Sequence, residues 1–152
     1  TVDFSPCFSL MLGFESTHEL NFDAAIVRNS LLSWIASNSS KQGRPPSFSL
    51  MVHSDNTWAR KQFDSNIDDI RDKMLEALDD IIGDPLPLPD HIAIHRWKYA
   101  KAESSCEENF LLDESNRLAA CGDWCGGNRV EDAYLSGLKL GKELQVLWRR
   151  KP

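Results

Sequence analysis

The chain has 152 residues, of which 41% are hydrophobic and 26% charged, with a formal net charge of −6. That length suits one ordinary domain with a packed core. The acidic balance argues against a nucleic-acid or anionic-membrane partner, because both need a cationic surface. No run approaches the roughly 18 apolar residues of a membrane helix. No signal peptide is visible, so an intracellular location, cytoplasmic or organellar, is expected.

The first half of the chain predicts strands followed by helices. Short apolar or alternating runs predict strands at 6–14, 24–28, 32–37 and 48–53, with a polar loop over 38–46. A short helix is predicted over 55–63, with Trp58 and Phe63 turned inward. A longer helix capped by Ser65 follows, and its apolar stripe recurs every three or four residues. The stripe is Ile67, Ile70, Met74, Leu78 and Ile81, and Gly83 and Pro85 end the helix.

The second half predicts one long strand, one short strand and a terminal helix. His91 to Ala100 alternates clearly, with His95, Trp97 and Tyr99 on one face. The polar segment 101–115 predicts a loop, 117–122 a strand and 129–149 a helix. Because strands and helices are segregated along the sequence, the expected fold class is α+β with a mostly antiparallel sheet.

The four cysteines, Cys7, Cys106, Cys121 and Cys125, predict free thiols. The spacing between Cys121 and Cys125 differs from the C-x-x-C pairs of zinc sites. No metal site is therefore predicted.

The most informative segment runs from Arg117 to Gly141 and reads as strand, glycine-rich turn and helix. Backbone N–H groups at a helix start are unpaired, and glycines let a phosphate or a flavin carbonyl approach them. Asp123 follows the strand and can accept hydrogen bonds from sugar or polyol hydroxyls. The alternative is an ordinary turn with tight helix packing along the small residues Ala133, Gly137 and Gly141.

These residues also carry a family resemblance. The run from Cys121 to Gly137 closely resembles the terminal FAD-binding motif of the flavin amine oxidase superfamily, and most closely its renalase-like group. Matching segments precede it in the expected order: Ser5–Cys7, Trp34–Arg44, Val52–Ala59 and His95–Ala100. Three positions depart from the usual pattern, with Gln42 for Pro, Lys98 for Arg and Asp132 for Gly. Asp132 falls in the first helical turn, where a carboxylate suits the helix dipole.

The resemblance implies that the chain is the C-terminal portion of such an enzyme. Residues 1–115 would form the substrate-side sheet and helices, and 116–152 the last strand and helix of a Rossmann-type FAD-binding domain. The Gly-x-Gly-x-x-Gly unit that holds the ADP half of FAD is absent from this sequence. The start at Thr1 agrees with a processed chain or a piece of a longer one. The isolated chain is therefore expected to be inactive and to retain FAD poorly.

The resemblance also implies roles for individual residues. Gly122 and Asp123 would approach the ribityl chain or pyrophosphate of FAD, and Trp124 would lie beside the isoalloxazine. Arg129 and Val130 would present backbone N–H groups to the flavin pyrimidine edge, where negative charge gathers on reduction.

The substrate cavity is the second implied site. Trp97, Tyr99 and His95 would wall it, and Lys41 and His53 are further polar candidates. Aromatic pairs on one strand face also commonly form core, so burial of Trp97 within the sheet is the competing expectation.

Three functions follow from these residues. The first is a flavin-dependent oxidoreductase that takes hydride from a small amine or a reduced nicotinamide, with FAD and that small molecule as its partners. The second is a non-catalytic α+β module that binds a nucleotide or a protein. The third is a structural domain in which the glycine-rich segment is only a turn.

Overall fold

The structure is a computed structural model that describes residues 2–18, 20–45, 47–83 and 86–149. It has the α+β fold expected from the sequence. The elements in chain order are β1 (Phe4–Gly13), β2 (Ala24–Ile26), β3 (Leu32–Ser37), β4 (Ser49–Ser54), α1 (Asn56–Lys61), α2 (Ile67–Ile82), β5 (His91–Ala102), β6 (Leu111–Asp113), β7 (Leu118–Ala120) and α3 (Val130–Arg149). Two compact units result: the sheet unit, Pro6–Lys98, and the hairpin–helix unit, Thr1–Ser5 with Tyr99–Pro152.

The sheet unit is built on a five-stranded antiparallel sheet of order β2-β3-β4-β1-β5. Register is fixed by pairs such as Leu10 opposite Val52 and Ser9 opposite His53. At the start of β5, the N–H of Asp90 donates to the carbonyl of Gly13 at the end of β1, as antiparallel neighbours require. The predicted strands at 6–14, 24–28, 32–37 and 48–53 are confirmed with small shifts at their ends.

The core lies between one face of the sheet and the two helices. Because side chains alternate along a strand, one apolar set of the sheet points toward the helices. This set and the facing residues of α2 are fully or almost fully buried: Phe8, Leu10 and Leu12 of β1, Leu50 and Val52 of β4, and Ile70, Met74 and Leu78 of α2. Trp58 and Phe63 both pack their rings near Phe8, as predicted.

The ends of α2 follow from their capping residues. The N-cap is Asn66, whose side-chain oxygen accepts the N–H of Asp68 at 2.8 Å. The predicted cap at Ser65 is therefore wrong by one residue, because Asn66 supplies the oxygen in the required place. Gly83 ends the helix with a φ of 73°, a left-handed conformation that glycine adopts without strain. Pro85 lies outside the described residues.

Arg96 anchors β5 to the helical layer. Its guanidinium lies 5.6 Å from the centre of the Phe8 ring and 5.5 Å from that of Phe63. Nη2 donates to the carbonyl oxygen of Ser65 at 2.7 Å. Cation–π contacts and a charge-assisted hydrogen bond thus attach β5, the last strand of the sheet, to the residues around α1 and α2.

The hairpin–helix unit contains a short antiparallel hairpin, β6 and β7, followed by α3. The prediction of a loop over 101–115 is wrong in part, because β5 continues to Ala102 and β6 lies inside that segment. The carboxylate of Asp113 closes the turn by accepting hydrogen bonds from Ser115 and Asn116. These bonds, led by that from Ser115, lower the pKa of Asp113 to about 2. In the part of the chain described, no helix has the length and apolar character needed to cross a bilayer.

We expect the sheet unit to depend on Phe8 far more than on Trp97. Phe8 is fully buried, whereas Trp97 is 51% exposed. Phe8→Ala should lower the free energy of unfolding by about 3–5 kcal/mol, because it removes a packed ring and leaves a cavity. Trp97→Ala should cost less than about 1.5 kcal/mol, since much of its surface already meets water. Urea titrations followed by circular dichroism measure both, and equal losses would show that Trp97 is as deeply packed as Phe8.

Candidate functional site

The sheet unit has a second face, opposite the helices, which we call the open face. Ser9 and His53 are register partners on it, and Trp34 faces His53 from the neighbouring strand. On β5, Ile94 packs against the core and Arg96 lies over Phe8, so alternation places the residues between and after them on the open face. The open face includes Ser9, Met11, Trp34, Met51, His53, His95 and Trp97.

The structure brings three of the predicted cavity residues to this one face. His53 lies on β4, and His95 and Trp97 lie on β5, with β1 between the two strands. The rings of His95 and Trp97 pack together, with centroids 4.1 Å apart. The expectation that Trp97 is buried is wrong, because the helices cover only the other face of β5. Tyr99, the fourth predicted cavity residue, belongs to the hairpin–helix unit, where its ring contacts that of Phe4 edge-on at 5.6 Å.

His53 is a group on the open face whose pKa is shifted by its surroundings. Burial, and after it the positive charge of Lys41, lower the pKa of His53 below its ordinary value. Lys41 itself is exposed, and its ammonium donates to Oδ1 of Asn38 at 3.1 Å. The histidine is therefore neutral at physiological pH. A neutral imidazole can accept or donate a hydrogen bond beside the indole of Trp34.

The hairpin–helix unit contains the second predicted site, which we call the glycine turn, residues 121–129. Its backbone is closed by internal hydrogen bonds, from Cys125 N–H to the carbonyl of Gly122 at 3.1 Å and from Gly127 N–H to the carbonyl of Asp123 at 3.2 Å. A Cβ at Gly122 would lie 2.4 Å from Nε1 of Trp124. The indole therefore lies directly over the bare Cα, and a larger residue at that position would have to displace it.

Asp123 is half-buried within the turn. Its Oδ1 accepts the N–H of Trp124 at 3.0 Å, an arrangement that fixes the carboxylate at the end of the strand segment. A carboxylate has further lone pairs on its second oxygen, so Asp123 can also accept a hydroxyl from outside the chain.

Asp132 has a role that the sequence analysis did not assign. Its Oδ2 accepts the N–H of Arg129, the residue before α3, at 3.0 Å. This is half of a capping box, in which the third helical residue bonds back to the cap. A Cβ at Gly127 would meet Oδ2 at 2.1 Å, so the carboxylate lies directly over that glycine. The donor predicted to meet the flavin is thus already bonded, and the spacing of Asp132 from Arg129 was the available signal.

Val130 begins α3 and is 90% exposed. Its N–H belongs to the first turn, where N–H groups have no partner inside the helix. The N–H of Val130, the second donor predicted for the flavin, therefore lies at a position exposed to water.

Ser136 is a second residue that sequence reasoning missed. It is almost fully buried, at 2% exposure, and its hydroxyl accepts the N–H of Gly122 at 3.2 Å. The same hydroxyl donates to the carbonyl of Asn109 at 2.6 Å. One side chain of α3 thus joins the glycine turn to the segment before β6. Its spacing of four from the buried Leu140 was the only sequence signal, since the small residues Gly137 and Gly141 drew attention to the adjacent stripe.

A groove of about 460 Å³ also lies within this unit, between the hairpin and the last turns of α3. Its apolar lining includes Leu112, Leu118, Leu144 and Trp148. None of the sequence-predicted site residues lines it. Among residues 2–18, 20–45, 47–83 and 86–149, no three His, Cys, Asp or Glu side chains are grouped so that they could hold a metal ion.

Comparison with known proteins shows a similarity of fold. No protein-family model matches the chain. The fold is similar to that of a solved structure from Exiguobacterium sp. 255-15, named as a "putative protoporphyrinogen oxidase", with a TM-score of 0.57 and 12% sequence identity. The similarity covers 66% of this chain and 24% of that one, so the chain corresponds to about a quarter of that protein's length. At this identity the two proteins share a fold over the matched region.

The lowered pKa of His53 predicts a pH dependence of stability. The unfolded chain takes up this proton near pH 6.5, and the folded chain only at lower pH, so stability is full above about pH 6.5 and falls as the pH drops below it. His53→Gln should remove that part of the loss. Melting temperatures measured from neutral to mildly acidic pH test this, with His91→Gln, an exposed histidine of β5, as the matched control. The same acid sensitivity in His53→Gln and the parent would contradict the prediction.

Proposed function

We propose that the chain is the C-terminal portion of a flavin-dependent oxidoreductase, which transfers hydride from a small amine or a reduced nicotinamide to FAD. The observation that carries the proposal is the glycine turn, which leads into the N-terminus of the 20-residue helix α3 and there holds a carboxylate against a backbone N–H. A site that accepts one oxygen anion in this way has the donors for a flavin carbonyl or a phosphate. The shared fold and the family resemblance support the same assignment.

The residues present fit FAD, with one condition. Gly122 and Gly127 leave their Cα atoms bare, and the space that each Cβ would take is filled by Trp124 and Asp132. Both are half-buried side chains at the surface of the turn and can rotate away. The N–H of Arg129 must exchange Asp132 for the cofactor, whereas that of Val130 needs no exchange.

When bound, FAD supplies the hydride acceptor, and the chain supplies contacts and orientation. Asp123 accepts a ribityl or ribose hydroxyl on its second oxygen while Trp124 N–H holds the first. Arg129 and Val130 donate to the pyrimidine edge and stabilise negative charge there. Trp124 would border the ring system, and Gly122 would allow a close approach to the backbone.

We propose the open face as the substrate wall. Trp97 and His95 form a packed, exposed aromatic pair, and His53 supplies a neutral polar group. The ammonium of Lys41 acts on His53, which disfavours a second positive charge at this end of the face. In this assignment residues 1–115 serve the substrate and residues 116–152 serve FAD. No catalytic base is assigned.

Exposed apolar side chains of the hairpin–helix unit support the proposal that another portion of the protein covers them. Leu118, Val130, Tyr134 and Trp148 of the hairpin–helix unit are each at least 66% exposed. Val130, Tyr134 and Trp148 fall on one face of α3, and an exposed apolar face of this kind marks an interaction surface in a soluble domain. We propose that a dinucleotide-binding portion, absent from these 152 residues, covers this surface and completes the FAD site.

The test uses the product of the complete coding sequence that contains these residues. It should purify with FAD, and an amine or a reduced nicotinamide should bleach the flavin in the absence of oxygen. Asp123→Ala leaves a donor unpaired in a dry site, at a cost of roughly 1–3 kcal/mol, so FAD should bind about five- to a hundredfold more weakly. Flavin titration of the apoprotein measures this, with circular dichroism as the control for folding. A colourless product that takes up no FAD would favour the non-catalytic binding module instead.

Asp132 gives a prediction of the opposite sign. Asp132→Ala frees the N–H of Arg129 and removes a negative charge, so FAD should bind about two- to tenfold more tightly. Loss of the cap should lower the melting temperature, because the first turn of α3 loses a bonded donor. Glu131→Gln, which removes a charge from the same helical turn, is the matched control. If both variants tighten FAD equally, charge alone acts and the hydrogen bond to Arg129 is irrelevant.

A further inference from the structure

Two thiols of the hairpin–helix unit lie against each other. Cys106 and Cys125 form an isolated parallel β-bridge, and the N–H of Cys106 donates to the carbonyl of Trp124 at 2.9 Å. The two sulfur atoms are 3.4 Å apart, and both cysteines are free thiols. The sequence spacing of 19 residues gives no hint of this contact.

The backbone geometry suits a covalent bond between them. Neighbouring β segments lie about 4.8 Å apart, which is inside the Cα separation of roughly 4.4–6.8 Å found for disulfides. The sulfurs need to approach by only about 1.4 Å to reach bonding distance. Side-chain rotation within the existing bridge can supply that shift, since the hydrogen bond from Cys106 already fixes the two backbones.

The surroundings distinguish the two thiols. Cys106 is half-buried and accessible from water, whereas Cys125 is 4% exposed. Burial, and next the contact with Cys106, raise the pKa of Cys125. The third cysteine of the unit, Cys121, is exposed and lies beside Gly137 of α3. Within the bridged pair, Cys106 is therefore the thiol that meets an oxidant first, and Cys125 is placed to attack the mixed disulfide formed there.

We propose that Cys106 and Cys125 are a redox modification site that closes to an intrachain disulfide when a small disulfide such as oxidised glutathione is present. The Cys106 thiolate attacks one glutathione sulfur, forms a mixed disulfide and releases one glutathione thiolate. The Cys125 sulfur, after losing its proton, then attacks the sulfur of Cys106 and releases the second. Two protein thiols are oxidised by two electrons, one oxidised glutathione is reduced to two thiols, and the protons go to the glutathione released or to solvent.

The bond would fasten the glycine turn to the segment before β6. Cys125 follows Trp124 and precedes Gly126, whose φ of 112° lies in the left-handed region. A covalent bond at Cys125 would hold this part of the turn in place without moving its backbone. The site needs no flavin, so the test of the thiol pair and the test of the proposed function can each fail without affecting the other.

Tryptic mapping tests the pair directly. Cys106 lies alone in the peptide 102–117, and Cys121 and Cys125 lie together in 118–129. The full chain is equilibrated with mixtures of reduced and oxidised glutathione, trapped with iodoacetamide, and digested without reduction. We expect the two peptides to be joined, with two thiols lost per chain. Half of the chains should carry the disulfide even at a ratio of reduced to oxidised glutathione about tenfold higher than the ratio at which Cys121 is half glutathionylated. The reason is that the partner thiol is already in place.

Variants decide which cysteines are joined. Cys121→Ser should keep the joined peptides, and Cys106→Ser should abolish them while circular dichroism stays unchanged. Three results would overturn the proposal: loss of the joined peptides in Cys121→Ser, a bond within peptide 118–129, or stable glutathione on Cys106 with no joined peptides.

Discussion

The two-residue period of the antiparallel sheet determines the rest of the sheet unit. In β1 and β4, one set of side chains points toward α1 and α2, and the other points away from them. Since Leu10 is paired with Val52, its neighbour Ser9 must be paired with His53 on the opposite side. A shift of one residue would exchange these sets and bury the histidine among aliphatic side chains. Burial of the apolar set therefore also places the polar and aromatic residues on the face proposed for substrate.

Much of the fold could be predicted because its signals are local. The stripe of Ile70, Met74 and Leu78 predicts the buried face of α2 from spacing alone, and Gly83 predicts its end. The exposure of Trp97 could not be predicted, because alternation gives two faces without saying which one the helices cover. The strand β6 was missed since only three residues pair, and only with β7.

In the glycine turn, too, some features could be predicted from sequence and others could not. Its position before α3 could be anticipated from sequence, whereas the partners of its donors could not. Two side chains decide those partners: Asp132 bonds the N–H of Arg129, and Ser136 bonds the N–H of Gly122. Each contact depends on the rotamer of one helical residue, which composition and periodicity do not specify. The chain itself thus already satisfies two of the donors in the turn, and a ligand that binds either of them competes with Asp132 or Ser136.

The place of β5 at the end of the sheet has a further consequence, for self-association. A 12-residue strand at a sheet edge is a template onto which another chain can add by backbone hydrogen bonding, the first step of ordered aggregation. Lys98 and Lys101 are exposed along this strand. Two copies pairing edge to edge in parallel register would bring these ammonium groups together, so repulsion opposes that stacking of like chains.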